Sequence, residues 1–318
     1  MGAGTGRPSA ARWDEVSVCV GWSSIAAEVA ERLASAPGLR VRLAEDGAPP
    51  DPAASVLVGH HFPPGSLAGL PRLRWVHLTG TGADHLAATG LADGVLVTCS
   101  AEVPVVAVAE YAVSGLLHVI KDLPRLAAPR SAEWFYSEAT LLAGSAVGVV
   151  GAGRIGRAVI ARLAAWGALP VAVTRDGLAP VVGAHRTIGT QALEREARHL
   201  DHLVVCLPGG PATRRLVGRA VLTALPAHAV VVNVGRGETV ANDVLYEELR
   251  AGRLRGAFVD VHEQEPLPED AEEWDVPGLT VSPHRGFAFP AEAAEVARTF
   301  LDRLAALRRG ASVGEVRR

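Results

Sequence analysis

The chain has 318 residues, too many for one ordinary core, so two domains are expected. Hydrophobic residues make up 49% and charged residues 20%, the balance of a soluble globular protein. The formal net charge of -3 offers no overall pull toward nucleic acid or an anionic membrane.

The N-terminus, MGAGTGRPSAARWDE, has no apolar stretch of signal-peptide length and reads as a flexible tail. Glycine at position 6 breaks the myristoylation pattern. The runs VSVCV (16–20), RVRLA (40–44), SVLVG (55–59), LRWVHL (73–78) and VLVTC (95–99) are rich in β-branched residues. Helical stretches separate them, such as SSIAAEVAERLASA, closed by Pro37 and Gly38. Strand–helix alternation predicts a parallel sheet covered on both faces. A long apolar helix comes next, from about Val105 to Ile120, suited to a dimer contact or an interdomain one. It is too short to span a bilayer.

A second series begins at SAVGVV (145–150) and continues with PVAVT (170–174), HLVVC (202–206), AVVVNV (229–234), GAFVD (256–260) and LTVS (279–282). Six strands with helical connections are the content of a doubly wound dinucleotide domain. The boundaries fall near residues 103 and 285, and the amphipathic C-terminal helix is expected to return to the first domain. Cys19, Cys99 and Cys206 are scattered and form no CxxC, so neither zinc nor a disulfide framework is expected, and a reducing, cytoplasmic setting fits. Lys121, the only lysine, lies in no Gly-rich loop, so no phosphate-loop lysine is available.

A strand ending at Val150 runs directly into Gly151-Ala152-Gly153-Arg154-Ile155-Gly156 and then into a helix. In that context GxGxxG is a strong dinucleotide signal. Gly151 permits the tight turn, Gly153 lets the backbone approach a pyrophosphate, and Gly156 allows close packing of helix on strand. The second strand ends Val173-Thr174-Arg175-Asp176. With Arg175 where an acid would hold ribose hydroxyls, the guanidinium would pair with a 2′-phosphate, Thr174 could add a hydrogen bond, and NADP(H) is favoured. If the strand ends one residue later, Asp176 takes the acid's role and the cofactor is NAD(H).

Hydride transfer needs a gripped carboxylate, a polarised carbonyl and a proton. Arg236, flanked by glycines after VVVNV, offers a planar fork for carboxylate and keto oxygen. His284, in Ser-Pro-His, is the group best matched to proton transfer near neutral pH. Glu265 would orient that imidazole and raise its pKa.

The segment from about Trp134 to Gly286 resembles the D-isomer-specific 2-hydroxyacid dehydrogenase family. LLAGSAVGVVGAGRIGRAVIARLAAWG is similar to its glycine-loop signature, HLVVCLPGGPATRRLV to its Pro…Thr signature, and VVVNVGRGETVANDVLYEELRAGRLRGAFVDVHEQEPLP with VSPHRG to its arginine, glutamate and histidine signatures. The resemblance implies an α/β fold in which a Rossmann doubly wound sheet (104–284) is inserted into a smaller flavodoxin-like substrate domain (1–103 and 285–318). It implies the catalytic set Arg236, Glu265 and His284. It also implies a cofactor site of Gly151, Gly153, Arg154, Ile155, Gly156, Thr174, Arg175, Leu207, Pro208, Thr213, Val234 and Asp260, the last holding the nicotinamide amide. Gly80, Thr81 and Gly82 resemble the loop whose amides hold the substrate carboxylate, together with Arg236 and His284. The implied activity is reduction of a small 2-oxo acid to the (R)-2-hydroxy acid by a homodimer, without metal, nucleic acid or membrane. Three other readings stay open: a nicotinamide-sensing relative without turnover, a reductase of a dianionic 2-oxo acid such as phosphonopyruvate, and oxidation of an inorganic or one-carbon donor, as in the phosphite and formate branches. The second rests on Arg285, where an aliphatic residue is more usual, and on His60-His61 at a strand-end loop. The formate branch is disfavoured by Glu265, where a glutamine is expected. Trp134, Phe135 and Tyr136 form an aromatic cluster expected to serve packing, in a core or at a subunit interface.

Overall fold

The computed structural model describes residues 13–45, 47–127, 139–314 and 316. The N-terminal tail and the Trp134–Phe135–Tyr136 cluster lie outside the described residues. The chain divides into two compact units, one reaching to Pro104 and resuming at Phe289, the other Val105–Ala288.

The first unit opens with β1 (Val16–Val20), α1 (Ala26–Ala34), β2 (Leu39–Leu43), β3 (Val56–Gly59), β4 (Trp75–Leu78) and β5 (Leu96–Cys99). All pairings are parallel, in the order β2-β1-β3-β4-β5, which is flavodoxin-like. Helix α1 buries Val29, Ala30 and Leu33 on one face and stops before Gly38, whose φ of +74° suits glycine. The expected alternation with helices weakens after β3. Pro63, Pro64, Gly65, Gly69 and Pro71 make the β3–β4 crossing a chain of turns, because proline and glycine interrupt any helical run there. Between β4 and β5 a single 3-10 segment, Asp84–Ala88, stands in for a helix.

The second unit contains α2 (Val105–Ile120), α3 (Leu123–Ala127), β6 (Ala146–Val150), α4 (Arg154–Ala165), β7 (Leu169–Thr174), β8 (Arg186–Gly189), α5 (Leu193–Ala197), β9 (His202–Val205), α6 (Arg219–Ala224), β10 (Val230–Asn233), α7 (Asn242–Arg250), β11 (Gly256–Val259) and β12 (Leu279–Val281). Its sheet runs β12-β11-β10-β9-β6-β7-β8, all parallel. That is the doubly wound 3-2-1-4-5-6 order with one strand added beyond the sixth. The expected count of six strands is therefore corrected to seven. The unexpected one is β8, an edge strand whose sequence, Arg-Thr-Ile-Gly, is only partly buried and carries little of the apolar signal of a central strand.

Alternate strand residues feed two cores. Val150, Val173, Val205, Val231 and Val259 face α5, α6 and α7, while Val149, Ala172, Val204, Val232 and Phe258 face α2 and α4. The apolar face of α2 is thus accounted for inside its own unit. Gly115 lets that helix lie on Phe258, since a Cβ there would stand 2.5 Å from the ring.

The last helix, α8 (Glu292–Arg308), belongs to the first unit. Val296, Phe300, Leu304 and Leu307 form its buried stripe, and the Phe300 ring stacks on Trp75 at 4.6 Å. Arg308 donates to the carbonyls of Trp13, Asp14 and Pro37, tying the helix to the start of the unit. Among the described residues no helix is long and apolar enough to cross a membrane.

Candidate active site

The register of the second sheet brings the candidate site residues to one edge. Val150, Val205, Asn233, Val259 and Val281 end neighbouring strands in one row. The residues just beyond these strand ends emerge from the same carboxyl edge, where open α/β sheets bind ligands: Gly151, Leu207-Pro208, Arg236, Asp260 and His284.

His284 Nδ1 lies 2.7 Å from Glu265 Oε2. The other carboxylate oxygen accepts the His262 backbone N–H at 2.8 Å. Burial pushes the Glu265 carboxyl up, but the hydrogen bonds from His284 and the His262 amide, with the nearby imidazoles, outweigh it and hold the group below the usual carboxylate range. A carboxylate only accepts, so Nδ1 of His284 carries the proton of the neutral ring and Nε2 keeps its lone pair. His284 itself has φ +52°, a left-handed backbone uncommon outside glycine.

Asp260 is buried, and its two oxygens are served from the same turn. Oδ1 accepts Ser282 Oγ at 2.6 Å and Arg285 N at 2.8 Å, and Oδ2 accepts Gly286 N at 2.9 Å. The carboxylate thus braces the backbone after His284 and keeps one acceptor site on Oδ2. The Arg285 guanidinium lies over the Phe287 ring at 5.8 Å.

Arg236 is half-buried and extended, with φ -142°. Its carbonyl accepts Asn233 Nδ2 and Thr239 Oγ1, and its Nη1 donates to the Gly235 carbonyl. The flanking glycines are needed for close approach rather than for flexibility. A Cβ on Gly235 would stand 2.5 Å from the Leu207 carbonyl, and one on Gly237 2.2 Å from His262 backbone. Leu207 and Val234 are buried beside this loop. Thr213 turns its hydroxyl to the Pro208 and Gly210 carbonyls, so it shapes the loop on which Pro208 sits. Burial pushes the Cys206 thiol up to about 12, which leaves it inert as a nucleophile.

The glycine loop fits a dinucleotide. Gly151 has φ +97°. Gly153 is the N-cap of α4, with open space where a Cβ would be, so a phosphate can meet the backbone there. A Cβ on Gly156 would stand 1.9 Å from the Gly151 carbonyl. Arg154 and Ile155 open α4, and Ile155 packs on the core beneath. Strand β7 ends at Thr174, so Arg175 is the first residue beyond it. Asp176 caps a local turn, its carboxylate accepting Leu178 N at 3.1 Å.

In the first unit, the segment after β4 carries Gly80, Thr81 and Gly82. Three imidazoles gather beside it, His60 with His61 and with His85 at 4.9 Å between centroids, and the His60 ring covers the face of Gly80.

Residues 113–286 match the NAD binding domain of the D-isomer specific 2-hydroxyacid dehydrogenases. The chain belongs to this family. An uncharacterized protein of Streptomyces coelicolor is 36% identical over 249 residues, 76% of this chain and 86% of that one. The D-3-phosphoglycerate dehydrogenase of Mycobacterium leprae is 34% identical over 239 residues, 73% of this chain, but the match spans only 44% of that enzyme. The crystal structure of an NADPH-dependent glyoxylate/hydroxypyruvate reductase from Sinorhizobium meliloti, holding NADP and sulfate, superposes with a TM-score of 0.83 at 26% identity, over 95% of this chain and 98% of that one. The second unit is accordingly a nicotinamide-dinucleotide domain, and its Gly153 and Arg175 suit NADP(H) with NAD(H) possible.

Three residues of this dehydrogenase site were given no role by sequence reasoning, although two of them, His262 and Ser282, lie inside the signatures themselves. Tyr111 of α2 places its hydroxyl 2.7 Å from Ser282 Oγ. His262 Nε2 lies 3.0 Å from the Ser282 carbonyl. Ser282 joins both to Asp260. No spacing rule could have found Tyr111, which is 171 residues from its partner.

Proposed function

We propose that the chain reduces a small 2-oxo acid to the (R)-2-hydroxy acid with NADPH, His284 serving as the general acid. The 2.7 Å contact between His284 Nδ1 and Glu265 carries this reading, because it leaves Nε2 to exchange the proton. The chemistry required of the bound dinucleotide is a hydride for C2. Arg236 is assigned the substrate carboxylate and keto oxygen, and the amides of Gly80, Thr81 and Gly82 are assigned the carboxylate through the family alone. As charge develops on that oxygen, the doubly protonated His284 gives its Nε2 proton. Glu265 stabilises the imidazolium beforehand and holds the neutral ring in the Nδ1–H form afterwards. Asp260, with one acceptor site left, is assigned the nicotinamide amide, and Arg175 with Thr174 the 2′-phosphate. The (R) stereochemistry and a homodimer go with this reading through the family, and a cytoplasmic location through the scattered cysteines.

The test is oxidation of NADPH and NADH against glyoxylate, hydroxypyruvate, phenylpyruvate and 2-oxoisocaproate. Turnover lost in His284→Asn while NADPH still binds supports the assignment. Unchanged turnover in that variant would overturn it.

A further inference from the structure

Ser282 stands two residues before His284 and receives a hydrogen bond on each of its polar sides. Its hydroxyl has one proton, and that proton goes to Asp260 Oδ1 at 2.6 Å. The Tyr111 hydroxyl at 2.7 Å must therefore be the donor to Ser282 Oγ. The Ser282 carbonyl takes the His284 backbone N–H at 3.0 Å and the His262 imidazole, also at 3.0 Å. A carbonyl only accepts, so His262 carries its proton on Nε2. His262 touches the other half of the pair as well, through its backbone N–H on Glu265 Oε1.

These contacts bear on a backbone that needs holding. A histidine at φ +52° is strained and persists only where its surroundings over-determine it. The bonds at Ser282 and Asp260 fix the residues on both sides of that turn. A shift of the turn by a fraction of an ångström would move Nε2 away from the reacting oxygen, and such misplacement is costly to a proton transfer.

We propose that His262 and Tyr111 are positioning residues for His284, acting through the carbonyl and the hydroxyl of Ser282. The proposal rests on the reading of His284 as the general acid. His262→Leu removes the donor, whereas His262→Gln keeps a nitrogen donor near the place of Nε2 without a titrating ring. Tyr111→Phe removes only the hydroxyl.

The experiment measures NADPH affinity, hydroxypyruvate reduction and the 15N chemical shifts of the histidine side chains, the last without substrate. His262→Leu is expected to lower kcat on the order of tenfold to a hundredfold with NADPH affinity intact, and Tyr111→Phe by less. The neutral His284 ring, held as the Nδ1–H tautomer in the parent chain, is expected to become a tautomer mixture in His262→Leu. His262→Gln should restore most of kcat and the single tautomer. An unchanged kcat and tautomer in His262→Leu, or a Gln variant as impaired as the Leu one with NADPH affinity intact, would overturn the proposal. Loss of turnover in His284→Asn alongside a normal His262→Leu rejects this inference alone. Normal turnover in His284→Asn rejects the reading beneath it.

Discussion

Glu265 holds His284 by one carboxylate oxygen at 2.7 Å and the His262 amide by the other at 2.8 Å. One side chain thus fixes both the tautomer of the imidazole and the loop that carries the carboxylate. Glu265→Gln keeps the shape but offers an amide where a charge was. It is expected to lower kcat on the order of tenfold or more while leaving NADPH affinity nearly unchanged. Steady-state kinetics with a binding titration checks the split, and equal loss in both would contradict it.

The same carboxylate ties stability to pH. Its pKa is lowered in the folded chain, so its contribution is present above the ordinary carboxylate value and is lost as pH falls through the lowered one. Glu265→Gln is therefore expected to lower stability at pH 7 but to narrow its difference from the parent chain in strong acid. Denaturant midpoints at pH 7 and pH 3 read this directly.

Two glycines of one loop should fail in different ways. Gly153 has φ -72° and open space at its Cβ position, so Gly153→Ala should fold normally and lose dinucleotide affinity, because the methyl group occupies the phosphate's approach. In Gly156→Ala the Cβ would meet the Gly151 carbonyl, so the loop or α4 must move and the thermal midpoint should fall. Melting curves with and without NADPH separate the two effects.

The sequence was most informative where the physics is local or repetitive. Strands β6, β9, β10 and β11 are buried on both faces and therefore read as continuous apolar runs. The glycine loop is legible because each glycine answers a separate steric demand. Strand β8 was hidden by its edge position, and the β3–β4 crossing by the helical alternation around it. Arg236, Glu265 and His284 were legible as residue types in order, but the left-handed turn at His284 was not. Its supports are backbone atoms together with the side chains of Asp260, Ser282, His262 and a tyrosine on a distant helix, and their bonds to one another leave no pattern in the chain.

Cofactor choice should turn on Arg175, the first residue beyond β7. Hydrogen bonds to a charged group contribute about 1.5–3 kcal/mol, roughly ten- to a hundredfold in affinity. Arg175→Ser is expected to weaken NADPH by about that factor and to leave NADH within about threefold. Arg175→Asp should go further and invert the preference, since a carboxylate repels the 2′-phosphate and accepts from ribose hydroxyls. Dissociation constants for both nucleotides check this. Parallel weakening of the two would mean that Arg175 does not read the 2′ position.

Two buried histidines should make the fold acid-sensitive well above the carboxylate range. His77 bridges Thr98 at 2.7 Å and Ser100 at 3.0 Å, and burial, reinforced by Arg303, pushes it down to about 3. His202 is pushed down to about 4, again chiefly by burial. Both are neutral when folded. The unfolded chain takes up protons near pH 6.5 while the folded chain does not, so stability is complete above that value and is lost as pH falls toward the folded values. Each group costs its own unit about 1.4 kcal/mol per pH unit in that window. Because the two histidines lie in different units, two acid transitions are expected if the units melt separately. His77→Gln cannot titrate, and its amide can still bond to a neighbouring hydroxyl. It should lower stability at pH 7.5 yet flatten the acid decline of the first unit alone, as read by calorimetry between pH 7.5 and 4.5. An unchanged slope in that variant would place the acid sensitivity elsewhere.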